Sequence, residues 1–464
     1  MSEGKKVTLN YKITFLIGFG FLTTGLAWSI YNVQVPLILA YNLPTFDWSD
    51  LLIGVIMVLD NITAILLQPY FGAKSDKTRT KFGKRIPYLM IGIPFGVLAF
   101  VLIPHAPNMA FLIILIMIYN ICMALYRSPV VALMPDLTPS EVRAKGNAII
   151  NLMGGIGTIA SYIIGAVLLD ADPSGALAFS IVGIIMLVSL MIVVFGVNEN
   201  KINRKMIEKY GQDFASDKTK LKDYRVKEQK SLQNDVGKKN LLARVKSSDT
   251  VLIFREKEKS ALYMLLAIFS WFFAYNGIET FFSLYAVNVL GISAGSASLL
   301  LLFLPLAFII FALPAGIISE KIGRRKAIKL GLIVVISSVV VLIFIQEFLV
   351  IMIMFLVLGA AWSLVNINSI TVVWQLAPDG KIGAYTGVYY LFSALAAITS
   401  PVFAGFLFSS TSATFGVFRY VLLFPFALGF MILALFFMTR VKRGEVKLSD
   451  EEIENLRKIY EEND

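Results

Sequence analysis

The sequence predicts an all-α membrane protein: twelve transmembrane helices arranged as two parallel-related six-helix halves. Three observations predict it. Apolar runs of about 20 residues or more, long enough to cross a bilayer, recur along the chain. Lys and Arg gather in alternate connecting segments. Landmarks of the first half return in the second at a nearly constant offset.

Composition narrows the class. Hydrophobic residues make up 57% of the chain, charged residues only 16%, and the mean hydropathy is +0.75. The net charge of +11 resides in the loops between apolar runs, which argues against a nucleic-acid partner and for the lipid bilayer. The single cysteine, Cys122, falls inside an apolar run, so no intrachain disulfide is expected. Lys5, Lys6 and Lys12 precede the first run, which lacks a small-residue cleavage site and reads as a retained span. No phosphate-binding loop and no His/Cys cluster is present, so no enzyme, cofactor or metal is expected. Gly291-Ile-Ser293-Ala-Gly295 matches a nucleophile elbow but lies in a turn without a preceding strand. Gly155-Ile-Gly157-Thr-Ile-Ala160 resembles a dinucleotide fingerprint inside an apolar helix. There Gly157, Ser161 and Gly165 read better as a small-residue ridge for close helix packing.

Taken in order, the spans are expected near 13–40, 51–73, 86–104, 109–133, 147–169, 176–197, 260–290, 296–319, 327–346, 348–374, 384–409 and 415–439. With the N-terminus cytoplasmic, 40 of the 42 basic residues fall in cytoplasmic segments; Arg127 and Arg419 are the exceptions. The expected protein is therefore multi-pass, in the cell membrane, with both termini cytoplasmic. Its units are an N-terminal half (1–197), a basic cytoplasmic linker (198–259), a C-terminal half (260–439) and a cytoplasmic tail (440–464). In the tail, Ile453, Leu456 and Tyr460 suggest a short amphipathic helix. The densest basic loop is 68–87, with Lys74, Lys77, Arg79, Lys81, Lys84 and Arg85 against a single acid, Asp76.

The repeat rests on agreement between regions. Trp28 recurs as Trp271, 243 residues later, and Tyr31-Asn32 as Tyr275-Asn276, 244 later. Gly72 matches Gly316, and Pro135-Asp136 matches Pro378-Asp379. A duplicated six-span unit keeps both halves the same way up, as in transporters that rock parallel halves about a midplane site.

Polar groups are costly in hydrocarbon, so their placement is informative. They concentrate in spans 1, 4, 7 and 10: Trp28, Tyr31, Asn32 and Gln34; Asn120, Tyr126 and Arg127; Trp271, Tyr275, Asn276 and Glu279; Trp362, Asn366, Asn368, Trp374 and Gln375. Helical spacing puts Trp271, Tyr275 and Glu279 near one face, and Asn120 with Arg127. Indoles pack on the C–H face of a sugar ring while Asn and Arg hydrogen-bond its hydroxyls. Asn32, Asn120, Arg127, Trp271, Asn276, Trp362 and Asn366 are the expected substrate ligands. Glu279 and Asp60, acids deep in their spans, are the candidates for carrying a coupling cation.

Twelve spans in two halves, with Gly316–Lys326 (GIISEKIGRRK) after span 8, resemble the major facilitator superfamily. Gln68-Pro69-x-x-Gly72-x-x-Ser75-Asp76 followed by Gly83-Lys84-Arg85-x-Pro87 is similar to plant sucrose transporters and their relatives, within the glycoside–pentoside–hexuronide cation symporters. The segment from Arg127 to Asp136-Leu137 resembles their fourth span, whose arginine is needed for sugar transport. The resemblance implies a major facilitator fold and uptake of a disaccharide or other glycoside by proton symport. Two departures stand out. Melibiose-type relatives carry paired acids in span 2 for sodium where this chain has Gln68 before Pro69, which makes sodium the less expected ion. Sucrose transporters carry an acid in span 4 where this chain has Ile113–Met117, which leaves Glu279 as the expected proton site. Asp76, Arg85 and Asp136, with Glu320, Arg324 and Asp379 in the second half, are expected to gate the cytoplasmic side. The competing expectations are export or flipping of lipid or amphipathic compounds, which needs a more apolar cavity, and a non-transporting membrane sensor.

Overall fold

The computed structural model describes residues 8–43, 48–206, 208, 258–378 and 381–445. The tail-helix expectation and Asp379 lie outside these residues, as does nearly all of the linker. Among the described residues the only strand-like pairing is an isolated bridge, Thr80 to Gly83. Twelve spans are present: Tyr11–Asn42, Ser49–Lys77, Ile86–His105, Met109–Asp136, Arg143–Ala171, Ala176–Gly196, Ser260–Asn288, Ala294–Ile322, Arg324–Phe344, Phe348–Leu376, Ile382–Phe415 and Leu423–Arg440. The last two form one helical run joined by the 3-10 segment Gly416–Leu422. Both halves keep apolar side chains on their outer faces, such as Phe195, Leu313 and Phe344, each at least 80% exposed, as lipid-facing helices do.

Span 2 is not continuous. It breaks at Val58, between Ser49–Met57 and Leu59–Lys77. Just past the break, Asp60 accepts hydrogen bonds from the Asn61 backbone N–H (2.5 Å) and from Asn61 Nδ2 (2.9 Å). A side chain that bonds local backbone this way competes with the helix ladder.

The small-residue ridge of span 5 packs in two directions. A Cβ on Gly157 would stand 2.3 Å from the Leu22 carbonyl oxygen, so span 1 backbone lies directly against it. Ser161 Oγ donates to the Leu26 carbonyl at 2.7 Å. Gly165 faces span 8, where a Cβ would meet Ser298 Oγ at 2.3 Å. Only small residues permit backbones this close.

The halves meet at the end opposite the basic loops, here called the far end. Asp50, 1% exposed, is bound there by Arg419 and by the Tyr420 hydroxyl (2.5 Å). Ser409 Oγ accepts from the Leu51 N–H at 3.1 Å, and Asp170 Oδ1 accepts from the Gly295 N–H at 3.1 Å. Gly54 and Gly405 let the two backbones touch: a Cβ on either would stand 2.2 Å from a carbonyl oxygen, of Pro401 and Asp50 respectively.

At the basic-loop end each half carries its own ion-pair cluster. Arg85, 4% exposed, binds Asp76 and Asp136 (2.8 Å), while Lys84 also pairs with Asp136 at 2.8 Å. Glu199 accepts from the backbone N–H groups of Lys84 (3.0 Å) and Arg85 (2.9 Å) beside Gly83, whose φ is +110°. The second half repeats the device: Glu445 accepts from the Arg325 N–H (2.8 Å) and pairs with its guanidinium (3.2 Å), beside Gly323 at φ +92°. Asp76, Arg85 and Asp136 thus come together as expected, whereas Glu320 is exposed and neither it nor Arg324 has an ion pair among the described residues. The reason is a shift in register. Gly72 precedes Gly83 by 11 residues but Gly316 precedes Gly323 by only 7, so Arg325 occupies the place of Arg85.

Candidate functional site

Between the halves lies a cavity in two compartments that share Tyr275. The wider one, about 620 Å³, lies toward the basic-loop end and is lined by Asn61, Arg127, Asn276, Asn366, Tyr389, Tyr390 and Ser393, with Phe272 and Ile370. The narrower one, about 270 Å³, lies nearer the far end. Its polar side carries Trp28, Ser29, Thr158, Tyr162, Glu279 and Trp362. Its other side is apolar, with Leu301, Leu304, Val335, Val339, Phe355, Leu358 and Phe424.

Two pairs shape the boundary between the compartments. Arg127 holds its guanidinium over the Trp28 ring, 5.6 Å from the centroid. Tyr275 stacks on Trp362 with centroids 5.1 Å apart and planes 10° apart. Each pair presents a flat apolar face beside hydrogen-bonding groups, the combination that grips a polar ring. Asn276 commits its Nδ2 to the Phe272 carbonyl of its own helix (2.7 Å), which leaves its amide oxygen available on the cavity wall.

Glu279 is tied to the opposite half. Asn32 Nδ2 donates to Glu279 Oε1 at 3.1 Å. Asp60, 7% exposed, sits behind Asn61 and within electrostatic reach of both Arg127 and Glu279. A buried carboxylate with so few donors is costly.

The structure separates the expected ligands. Arg127, Asn276, Trp362 and Asn366 line the cavity, and Asn32 meets Glu279. Asn120 and Trp271 are placed elsewhere. Asn120 is 2% exposed, packed inside the first half near Tyr31 and Tyr119, whose rings stack at 5.3 Å. The Asn120 amide and both tyrosine hydroxyls lack well-formed hydrogen bonds there. Trp271 is fully buried in the second half. The physical reason is helix rotation: each i+4 step drifts by about 40°, so Trp271 lies about 80° around the helix from Glu279.

Several lining residues escaped sequence reasoning: Asn61, Ser29, Thr158, Tyr162 and the span 11 set Tyr389, Tyr390 and Ser393. All but Ser29 lie outside spans 1, 4, 7 and 10. The signals were an Asn beside the buried Asp60, and tyrosines in spans 5 and 11.

Two six-helix halves around a polar and aromatic cavity, closed together at one end, define a secondary transporter. The family profile described as Major Facilitator Superfamily matches residues 17–401 and 288–460, and this chain belongs to that superfamily of transporters. A plant relative, sucrose transport protein SUC3 of Arabidopsis thaliana, is 23% identical over 187 residues. That match covers 36% of this chain and only 31% of the relative, about a third of its length. Among solved structures, the nucleoside transporter NupG superposes with a TM-score of 0.67 at 12% identity, covering 94% of this chain and 100% of its own. A D-xylose-proton symporter superposes at 0.65 and 16% identity, covering 93% and 97%. At these identities the structures show a shared fold.

Proposed function

We propose that this transporter takes up a small glycoside, a disaccharide or one of similar size, by proton symport across the cell membrane. The basic-loop end and both termini face the cytoplasm in this reading, so the far end is the outer end and the described conformation is closed outside. The carrying observation is the wall formed by Arg127 on Trp28 and Tyr275 on Trp362, with Asn276 and Asn366 beside it. Flat aromatic faces next to amide and guanidinium donors match a sugar's C–H faces and hydroxyls better than a charged or wholly apolar solute. Glu279 carries the coupling proton, with Asp60 as its partner acid behind Asn61. The 1–197 and 260–439 halves move as units about this site, joined by the 198–259 linker. Asp76, Arg85 and Asp136 take part in the inner gate together with Arg325 and Glu445. The similarity to a sucrose transport protein and to a xylose-proton symporter supports the sugar and the ion alike.

The apolar wall of the narrower compartment favours a second reading, export of an amphipathic compound. Counterflow of labelled sucrose and maltose in proteoliposomes, then uptake under imposed pH or sodium gradients, separates the two. Saturable counterflow with accumulation driven by a pH gradient is expected. Sugar-independent movement of a lysolipid without sugar counterflow would replace this reading with the second.

A further inference from the structure

We propose that Asn32 is the positioning residue that lets the protonation of Glu279 control whether the outer end is open, an inference that rests on the proton-coupled reading above. Among the described residues, the cross-half hydrogen bonds fall in two places. One set closes the far end: Asp50 with Arg419 and Tyr420, Leu51 with Ser409, and spans 5 and 8 through Asp170–Gly295 and Ser298–Tyr162. The other is a single bond, Asn32 Nδ2 to Glu279 Oε1 at 3.1 Å, on the cavity itself. Asn32 is only 8% exposed, so this bond is shielded from water.

An amide donor binds an ionised carboxylate about twice as strongly as a neutral carboxyl. Ionised Glu279 therefore holds spans 1 and 7 together and favours the closed outer end. A proton arriving at Glu279 weakens that tie and lets the halves part outside. By the same linkage, closure of the outer end favours release of the proton. The groups facing Glu279 fit this role. Tyr162 from span 5 and Tyr275 from its own helix are the nearest titratable neighbours. Asp60 and Arg127 act from spans 2 and 4, while spans 8, 10 and 12 present Leu304, Trp362 and Phe424. Among the described residues, Asn32 makes the hydrogen bond that reaches Glu279 across the interface.

The difference between charged and neutral hydrogen bonds corresponds to a change of roughly fivefold to tenfold in the ratio of outer-open to outer-closed protein. The test reads that ratio without sugar, in the full chain in nanodiscs. Spin labels at Tyr41→Cys and Val417→Cys, exposed positions at the far end of each half, report the gap in a Cys122→Ser background. The expected result is a population with a wide gap that grows as pH falls, an acid-like ratio at every pH in Glu279→Gln, and a flat pH response in both Asn32→Ala and Asn32→Leu. Two variants of different volume separate loss of the donor from loss of packing. A full pH response in both Asn32 variants overturns the proposal, and so does a flat response in the parent protein. Sugar counterflow is measured separately: its absence beside a normal pH response in the parent removes the sugar reading and leaves the role of Asn32 standing.

Discussion

Asp50 and Arg419, 369 residues apart in the chain, form the ion pair that fastens the two halves at the far end. Asp50 is almost wholly buried, and the Tyr420 hydroxyl completes its coordination at 2.5 Å. Breaking a buried pair by removing one partner leaves an uncompensated charge and costs about 3–5 kcal/mol. Arg419→Ala is therefore expected to shift the protein toward the form open at this end, by a large part of that energy. Faster labelling of Ser29→Cys in the narrower compartment, in a Cys122→Ser background and with a membrane-impermeant maleimide added at the far end, checks it. A labelling rate equal to that of the Arg419-containing control would show that the pair does not hold the end shut.

Gly405 gives a test with an unusual sign. In a helix interior Gly→Ala ordinarily stabilises by about 1 kcal/mol. Here the added Cβ would stand 2.2 Å from the Asp50 carbonyl oxygen. Gly405→Ala is expected to lower the melting temperature of the closed form and to raise far-end accessibility. The same substitution at Gly387, which has open space around it, should be neutral or stabilising. The pair of melting curves decides between contact and propensity.

Arg127 and Trp28 test the cavity wall. Lys retains the charge of Arg127 but loses the planar fork that stacks on the indole and donates in parallel. Under the proposed glycoside reading, Arg127→Lys is expected to weaken sugar binding by about tenfold or more, and Trp28→Leu by a smaller factor, in equilibrium binding to purified protein. Parent-like affinity in Arg127→Lys would remove it from the sugar site.

The paired caps at Gly83–Glu199 and Gly323–Glu445 should contribute independently. At the start of a span, Glu199 accepts two backbone N–H groups and Glu445 accepts one. Glu199→Ala and Glu445→Ala are each expected to cost about 1–3 kcal/mol, the penalty of unsatisfied buried donors. Because the sites sit in different halves, the double variant should show the sum within about 0.5 kcal/mol in denaturant titrations.

Asp172 supplies a pH dependence outside the spans. The Ser174 hydroxyl, then the Leu177 N–H, hold its carboxyl below the usual range, with His105 nearby. A lowered folded value means the carboxylate stabilises the fold at neutral pH, and the contribution is lost as pH falls through that value. Asp172→Asn is therefore expected to melt slightly lower than the parent at pH 7, with the gap closing below about pH 4. A gap that widens on acidification would reverse the assignment.

Much of the fold was legible in the sequence because its causes are one-dimensional. Span length follows from hydrocarbon thickness, and alternation of Lys and Arg follows from the cost of moving charge across it. The glycine ridge at Gly157, Ser161 and Gly165 was readable for the same reason, since small residues at helical spacing permit only close packing. The site was legible only in part. Sequence placed Arg127, Asn276, Trp362 and Asn366 on the cavity, yet put Asn120 and Trp271 there as well. Spacing gives the order of residues around a helix and leaves open which direction faces the cavity. Repeat logic was likewise sound for Trp28 and Trp271 as a sequence match, while in space one lines the cavity and the other is buried in its half.

By itself, then, the sequence determined twelve spans in two parallel halves, a polar interior and the few acids buried in it, because desolvation cost is attached to each residue wherever it sits. Tertiary structure alone decided that Asn32 meets Glu279, that Arg325 takes the place of Arg85, and that Asp50 and Arg419 shut one end. Those outcomes depend on helix rotation, loop length and contact between distant segments, which no single stretch of chain encodes.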